Sequence, residues 1–419
     1  MDSGHKSLNS ISHRRKTLAA KTARAEENSS TYSVRDTLIT TYIPPELIDE
    51  IIDHLQDDKD ALLMCSLVCR LFYPRTRVHL FRVVSITDTN RKVSLLYDSS
   101  SKNVLHYIQG IKLHWPTNYA NRHASDFLPR FTTFLFSLTN LTSLYLSTIH
   151  LRDASHLHTI IYPLSRLTSL ALNNVFFDSS ESYTIPDHRT SVEPSPKIEA
   201  ISMYGTSFHA SIVDLITDRQ DLRTIYVDSL RKLCIKYPPG EYLPSICTFL
   251  RATAGSLRRL DLYIRRTLYT PGRLSSWPTQ LDRLPLTMQT LHIVIKCHER
   301  WGWHVKVMKW LLDSLSGPDG TIRLETMMLT IIPPYDHMGN NDYLQDEDWA
   351  AQWTSLDKAL ARLKSSTFHC LKVTFRPYVG DHSPWRGSYC KTWVERRLPL
   401  LLEQKFLEVD TVEYYDDFH

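Results

Sequence analysis

Two hydrophobic periods alternate along the chain. The first is helical. Leu47, Ile48, Ile51, Ile52 and Leu55 form a broad apolar stripe, while Glu46, Asp49, Glu50 and Asp53 fill the other side. Ile43-Pro44-Pro45-Glu46 opens this helix, because proline is tolerated in a first turn where its missing N–H has no partner. Gln56-Asp57-Asp58-Lys59-Asp60 is a polar break, and Asp60 is placed to cap the next helix. That second helix is expected over about Ala61 to Phe72. Leu62, Leu63, Met64, Cys65, Leu67, Val68, Cys69, Leu71 and Phe72 make it apolar nearly all round, so it needs cover on more than one side. Pro74, Arg75 and Arg77 read as a basic turn, with Val78–Phe81 leading into a strand.

Beyond residue 81 a spacing of the form L-x-x-L-x-L recurs. Its matches are Ile108/Ile111/Leu113, Leu141/Leu144/Leu146, Leu167/Leu170/Leu172, Ile198/Ile201/Met203 and Leu222/Ile225/Val227. Leu257/Leu260/Leu262, Met288/Leu291/Ile293, Leu324/Met327/Leu329 and Phe368/Leu371/Val373 continue it. Helical patterns lie between, at Phe127–Leu138, His156–Leu164, Phe208–Thr217, Leu243–Ala254, Val305–Leu315 and Trp349–Leu363. One strand and one helix in each unit of 24 to 44 residues resembles the leucine-rich repeat, in which parallel strands stack and each unit covers its neighbour. The Asn or Cys of the regular repeat is absent. Its position holds Ile149, Val175, Thr206, Leu230, Arg265, Lys296, Ile332 and Arg376, so an irregular solenoid is expected. Thr184–Pro196 and Pro333–Asp348 read as long loops.

The helical stretch carries a second resemblance. Ile43-Pro44 with Glu46-Leu47-Ile48, Ile51-Ile52 with Leu55, the Asp57-Asp58 turn, Cys65-Ser66-Leu67-Val68-Cys69-Arg70 and His79-Leu80-Phe81 together resemble the F-box, in its fungal F-box-like form. The family's Leu-Pro start is Ile43-Pro44 here, and Phe72 stands near the family's usual Trp. The resemblance implies a small helical module that docks on a Skp-type adaptor and, through it, on a cullin. The adaptor-binding positions it implies are Ile43, Pro44, Leu47, Ile48, Ile51, Ile52, Leu55, Leu62, Val68, Cys69 and Phe72. Periodicity leaves open which of these face the adaptor and which face the module's own core. The expected architecture is α/β: a disordered basic tail (1–39), the F-box-like module (40–81), a degenerate repeat domain (82–406) and an acidic tail (407–419).

Composition narrows the function. Net charge is +4, with six basic residues against one acid in residues 1–24, and five acids without Lys or Arg from Leu407 onward. The stretch between them is near neutral, so no broad field for nucleic acid is expected. The N-terminal stretch reads as a solvated tail, an import patch at Arg14-Arg15-Lys16, or a transit peptide. No stretch approaches 18 apolar residues and no secretory leader opens the sequence, so neither a membrane span nor export is expected. Seven dispersed cysteines without a C-x-x-C pair point to a reducing compartment, cytoplasm or nucleus. Walker, G-x-G-x-x-G, H-E-x-x-H and G-x-S-x-G motifs are absent. Cys65/Cys69 read as core. Cys297-His298 is no nucleophile–base pair, since strand neighbours point to opposite faces. No catalytic residue, cofactor or metal is therefore expected. The acidic, aromatic Glu413–Phe418 reads as a solvated tail, an end cap or, less simply, a docking peptide.

The expected function is a substrate-recruiting subunit of a Skp–cullin–F-box ubiquitin ligase, which does its chemistry elsewhere. The alternatives are a repeat scaffold with no ligase role, or a hydrolase with scattered catalytic residues. In each L-x-x-L-x-L unit the last two apolar residues share the core face, so their neighbours share the other face. That assigns an unknown target protein to Lys112, His114, Tyr145, Tyr204, Tyr226, Asp228, Asp261, Tyr263, His292 and Lys372.

Overall fold

The structure, a computed structural model, describes residues 43–87, 102–115, 124–151, 154–177, 196–205, 227–237, 243–265, 287–296, 303–315, 323–332, 347–363, 368–376 and 388–412. The basic tail, the helix expected at 208–217, Tyr226, the Cys297-His298 pair, most of both long loops and residues 413–419 lie outside them. The chain divides into two compact units, Met1–Val83 and Val84–His419.

The described residues of the first unit form three helices: α1 (Pro45–His54), α2 (Lys59–Val68) and α3 (Tyr73–Arg82). Pro44 caps α1, and its carbonyl accepts from the Leu47 and Ile48 amides. Asp58, not Asp60, caps α2 by accepting from the Ala61 amide at 2.9 Å. α2 stops at Val68, where Cys69 turns extended, rather than running to Phe72. The expected basic turn and strand after Pro74 are instead α3, and strand begins only at Val83. Pro74 sits in the first turn of that helix, where it breaks nothing. Along α3, Arg77 lies over the rings of Tyr73 and Phe81, at 4.5 and 5.9 Å, which favours the helical spacing.

The second unit is a mixed α/β fold with an open, mostly parallel sheet. Its strands are β1 (Val83–Ile86), β2 (Gly110–His114), β3 (Ser143–Ser147), β4 (His150–Leu151), β5 (Ser169–Asn173), β6 (Phe176–Phe177) and β7 (Ala200–Tyr204). They continue as β8 (Lys232–Lys236), β9 (Arg259–Arg265), β10 (Thr290–Lys296), β11 (Thr326–Ile332), β12 (Cys370–Phe375) and β13 (Leu407–Thr411). Helices α4 (Lys102–Leu105), α5 (Ala124–Phe136), α6 (Ala154–Ile161), α7 (Leu243–Ala252), α8 (Trp303–Leu315) and α9 (Glu347–Leu363) lie between strands. α10 (Ser388–Arg397) and α11 (Pro399–Glu403) precede β13. Among the described residues eleven strands pair in chain order, with β4 and β6 paired apart. Every pair from β2 to β13 is parallel, and the apolar positions register across it, Leu144 with Leu170, Ile201, Leu233 and Leu260 in turn. This face packs with Phe131, Phe134, Ile160, Phe249, Leu311 and Trp353 of the helices into one continuous core.

One unit sits in a different register from the pattern read in the sequence. Leu222 and Ile225 lie outside the described residues; Val227 opens a 3-10 turn, Val227–Ser229, and β8 uses Leu230/Leu233/Ile235. Both triplets fit the template, and pairing of Leu233 with Ile201 and Leu260 selects the second. β13 lies within what reads as the acidic tail. Leu407, Val409 and Thr411 alternate with Glu408 and Asp410, and β12 pairs with them, so the sheet runs to about 411.

A turn recurs after four strands. Thr148, Asn174, Gly205 and Tyr237, each directly following its strand, have positive φ near 55°. The Asn174 side chain lies over Gly205 so closely that a Cβ there would sit 2.1 Å from its Oδ1. At the C-terminal end, buried Asp357 of α9 accepts from the Leu400 and Leu401 amides at 3.0 Å each, capping α11 from 43 and 44 residues away.

Candidate functional site

In the first unit the helical period separates two faces. Ile48 and Ile52 of α1 and Leu62 of α2 are buried, with Leu55, Cys65, Phe72 and Leu80 packed around them. These are the module's core and not its outer surface, a correction to the assigned adaptor positions Ile48, Ile52 and Leu62. Leu55, Cys69 and Phe72 are half-buried. Ile43, Pro44, Leu47, Ile51 and Val68 are exposed. So are Leu63, Met64 and Leu67, which the resemblance does not single out. An all-apolar α2 hid them: with no polar side, its period marks no face.

The resulting surface is unusual. Leu47, Ile51, Leu63, Met64, Leu67 and Val68 keep 50% to 81% of their area in contact with solvent. Ten of the fifteen exposed large hydrophobic side chains among the described residues fall within 43–83. Single exposed apolar residues need no explanation, but a concentration of this kind marks a surface that is covered in use. Asp53 clasps the module from α1. It accepts from Arg75 Nε at 2.6 Å and sits 2.7 Å from His79 Nε2, both on α3. Those hydrogen bonds, Arg75 first and His79 second, hold its carboxyl well below the usual carboxylate range. Arg82 adds a bond to Gln56 at 3.2 Å. The clasp fixes α3 against α1 without drawing on the exposed stripes.

In the second unit, the sheet face turned away from the core collects the residues assigned to a target. Register places Lys112, Tyr145, Ala171, Ser202, Cys234, Asp261, His292, Met328 and Lys372 in one row. Two residues on, His114, Ser147, Asn173, Tyr204, Lys236 and Tyr263 form the next row. Lys112 and His114 are exposed, and Tyr145, Tyr204, Tyr263, His292 and Lys372 half-buried. Asp228 is exposed but lies in the 3-10 turn, off the sheet, because of the changed register of β8. Cys234 and Lys236 take the places given to Tyr226 and Asp228.

Asp261 departs furthest from expectation: it is 3% exposed. Arg259 Nε donates to both its oxygens, at 3.0 and 3.1 Å, His292 Nδ1 lies at 3.7 Å and Lys232 Nζ at 3.9 Å. Burial pushes this carboxyl up, and its His292 and Arg259 neighbours outweigh that, so it stays below its ordinary value. Its carboxylate is thus enclosed by the cations around it. Tyr204, Tyr237, Tyr263 and His292 run edge to face across four strands, at 5.5, 6.5 and 5.7 Å, with Lys236 over the Tyr263 ring at 4.8 Å. Burial raises the Tyr263 hydroxyl and the Cys234 thiol above their ordinary values. Toward the N-terminal strands, Asn173 Nδ2 donates to Tyr145 Oη at 2.8 Å and to Ser147 Oγ at 3.2 Å.

Among the described residues no His, Cys, Asp and Glu group has metal-binding geometry, and no helix is long and apolar enough to cross a membrane. No family model matches the chain, and no curated protein matches it. Among the solved structures it resembles is the "Crystal structure of Rad7 and Elc1 complex in yeast", at 14% identity over 99% of this chain and 96% of that one, with a TM-score of 0.31. A score of that size gives the likeness no weight for fold or function.

Proposed function

We propose that this chain is a substrate-recruiting subunit of a Skp–cullin–F-box ubiquitin ligase. The helical unit is the F-box-like module and docks on a Skp-type adaptor, which links it to a cullin. The sheet unit is an irregular leucine-rich-repeat solenoid that holds a target protein on its open face. The chain works by binding alone, without cofactor or metal, in cytoplasm or nucleus.

The observation that carries this reading is the pair of uncovered apolar stripes, Leu47/Ile51 on α1 and Leu63/Met64/Leu67/Val68 on α2. Among the described residues of the unit the buried apolar side chains are Ile48, Ile52 and Leu62, a very small core for these three helices. A second apolar surface supplied by a partner completes it. Chain-ordered parallel pairing with helices on one face supports the repeat reading.

The test is co-purification of the full chain with a Skp-type adaptor. The wild type should capture it, and Leu47→Asp with Ile51→Asp should not. Failure of the wild type favours a repeat scaffold with no ligase role. Retention by the double variant refutes this docking face.

A further inference from the structure

The open face of the sheet is electrically one-sided. From β2 to β12 it carries Lys112, Lys232, Lys236, Arg259, Lys372 and Arg376, all exposed or half-buried. A further lysine, Lys296, is buried at the end of β10. Against these stands one acid on that face among the described residues, Asp261, which is buried beneath Arg259. Acids return only on β13, with Glu408 and Asp410. For a chain whose total is +4, with the +5 of residues 1–24 offset by the −5 from Leu407 onward, this is a marked segregation.

The arrangement is densest at β8 and β9. Lys232 and Arg259 are register partners on adjacent strands, and Lys236 faces Tyr263 in the same way. Thr290 on β10 extends the Lys232–Arg259 row with a hydroxyl. Arg259 bonds to Asp261 through Nε, which leaves its terminal nitrogens outside that bond, and its side chain is 42% exposed. A guanidinium anchored in this way presents a pre-set pair of donors to an outside anion. Half-buried Tyr204 and Tyr263 lie beside these cations, with Lys236 over the Tyr263 ring and buried Tyr237 packed edge-on between the two tyrosines, a surface suited to a peptide.

We propose that this strip, centred on Lys232, Lys236 and Arg259, takes an acidic segment of the target protein, with side-chain carboxylates or a phosphoryl group seated on Arg259 and Lys232. It rests on the reading of the chain as a recruiting subunit, yet its test needs no adaptor. The occupant is set by charge complementarity: a neutral or basic segment leaves the cations unmatched, whereas an acidic one is both steered and held.

The experiment is fluorescence anisotropy of labelled twelve-residue peptides with the full chain, without adaptor, across a salt series. The probes are a Glu/Asp-rich peptide containing tyrosine, the same peptide bearing one phosphoserine, its Gln/Asn counterpart, and a single-stranded RNA dodecamer. Either anionic peptide should bind with affinity that falls as salt rises, and the Gln/Asn peptide should not bind. The phosphoserine arm shows which anion fits Arg259 better. Lys232→Gln with Lys236→Gln, which leaves the Arg259–Asp261 pair intact, should weaken binding about fivefold, and adding Arg259→Gln should bring the loss to tenfold or more, at the ordinary strength of exposed ion pairs. Lys309→Gln, Lys358→Gln and Arg362→Gln on α8 and α9 remove equal charge elsewhere and should change little. Equal loss in both sets, no binding of either anionic peptide, or tighter binding of RNA overturns the proposal. None of those results bears on adaptor capture by α1 and α2, which the co-purification reads separately.

Discussion

Leu62 and Leu67 lie five residues apart on the same helix and should respond to the same substitution in opposite ways. Leu62 is fully buried in the small core of the helical unit, while Leu67 is 81% exposed. Leu62→Ala removes packing on all sides, a loss of about 2–5 kcal/mol for a core leucine. With Ile48 and Ile52 the only other buried apolar side chains among the unit's described residues, the unit has little to spare and should open. Leu67→Ala removes side chain that already faces water, and surface changes of this kind stay within about 0.5 kcal/mol. Once an adaptor covers Leu67, the lost carbons count at about 0.8 kcal/mol each, near 2 kcal/mol in all, which is about thirtyfold in Kd. Hydrogen exchange on the full chain reads the first effect at the amides of α1 to α3, and titration calorimetry with the adaptor reads the second. Leu62→Ala should abolish protection in 45–82, and Leu67→Ala should preserve it while weakening the complex. Loss of protection in both variants, or unchanged affinity for Leu67→Ala, would refute the division of α2 into a core side and a docking side.

Three single residues carry further consequences. Asp357→Ala leaves one buried and one part-buried amide of α11 without an acceptor and should cost about 2–3 kcal/mol, seen first as exchange at 399–411 and as lost near-UV signal from the Trp353–Trp393 pair. Asp53 is held below its ordinary value when folded, so its contribution is present above its unfolded value and is lost as pH falls below about 4. Helical protection in 45–82 should therefore drop in that range, by under about 1 kcal/mol for a half-exposed clasp, and Asp53→Asn should flatten the profile. Gly205→Ala should cost about 1–2 kcal/mol in urea titration, because its φ is +60° and Asn174 occupies the space a methyl needs.

Much of the sheet was legible because its core face carries nearly all its hydrophobic burial. Leu144, Leu170, Ile201, Leu260, Leu291, Met327 and Leu371 stand at strand spacing, and the strands form there. β8 was ambiguous at sequence level because two triplets eight residues apart both fit, and only pairing across strands separates them. β13 was masked by its acids, although Leu407, Val409 and Thr411 keep period two. α3 was misread because Pro74 signals a break unless it falls in a first turn. For the open face, alternation placed Tyr145, Tyr204, Tyr263 and Lys372, but it says nothing of depth. Asp261 became a buried counter-ion through Arg259, two residues away on its own strand, and His292, on the next. Arg259 was within reach of the same alternation, two residues before Asp261, whereas Lys232 and Lys236 came into view only once pairing set the register of β8.

The central claim is that the apolar stripes of α1 and α2 are the surface an adaptor covers. Size-exclusion chromatography of the full chain mixed with a purified Skp-type adaptor, followed by hydrogen exchange on the complex, tests it most directly. The account predicts a stoichiometric complex with new protection concentrated at Leu47–Ile51 and Leu63–Val68, and no complex for Leu47→Asp with Ile51→Asp. Separate elution of the two proteins, or a complex whose protection lies only on β2 to β12, would contradict it.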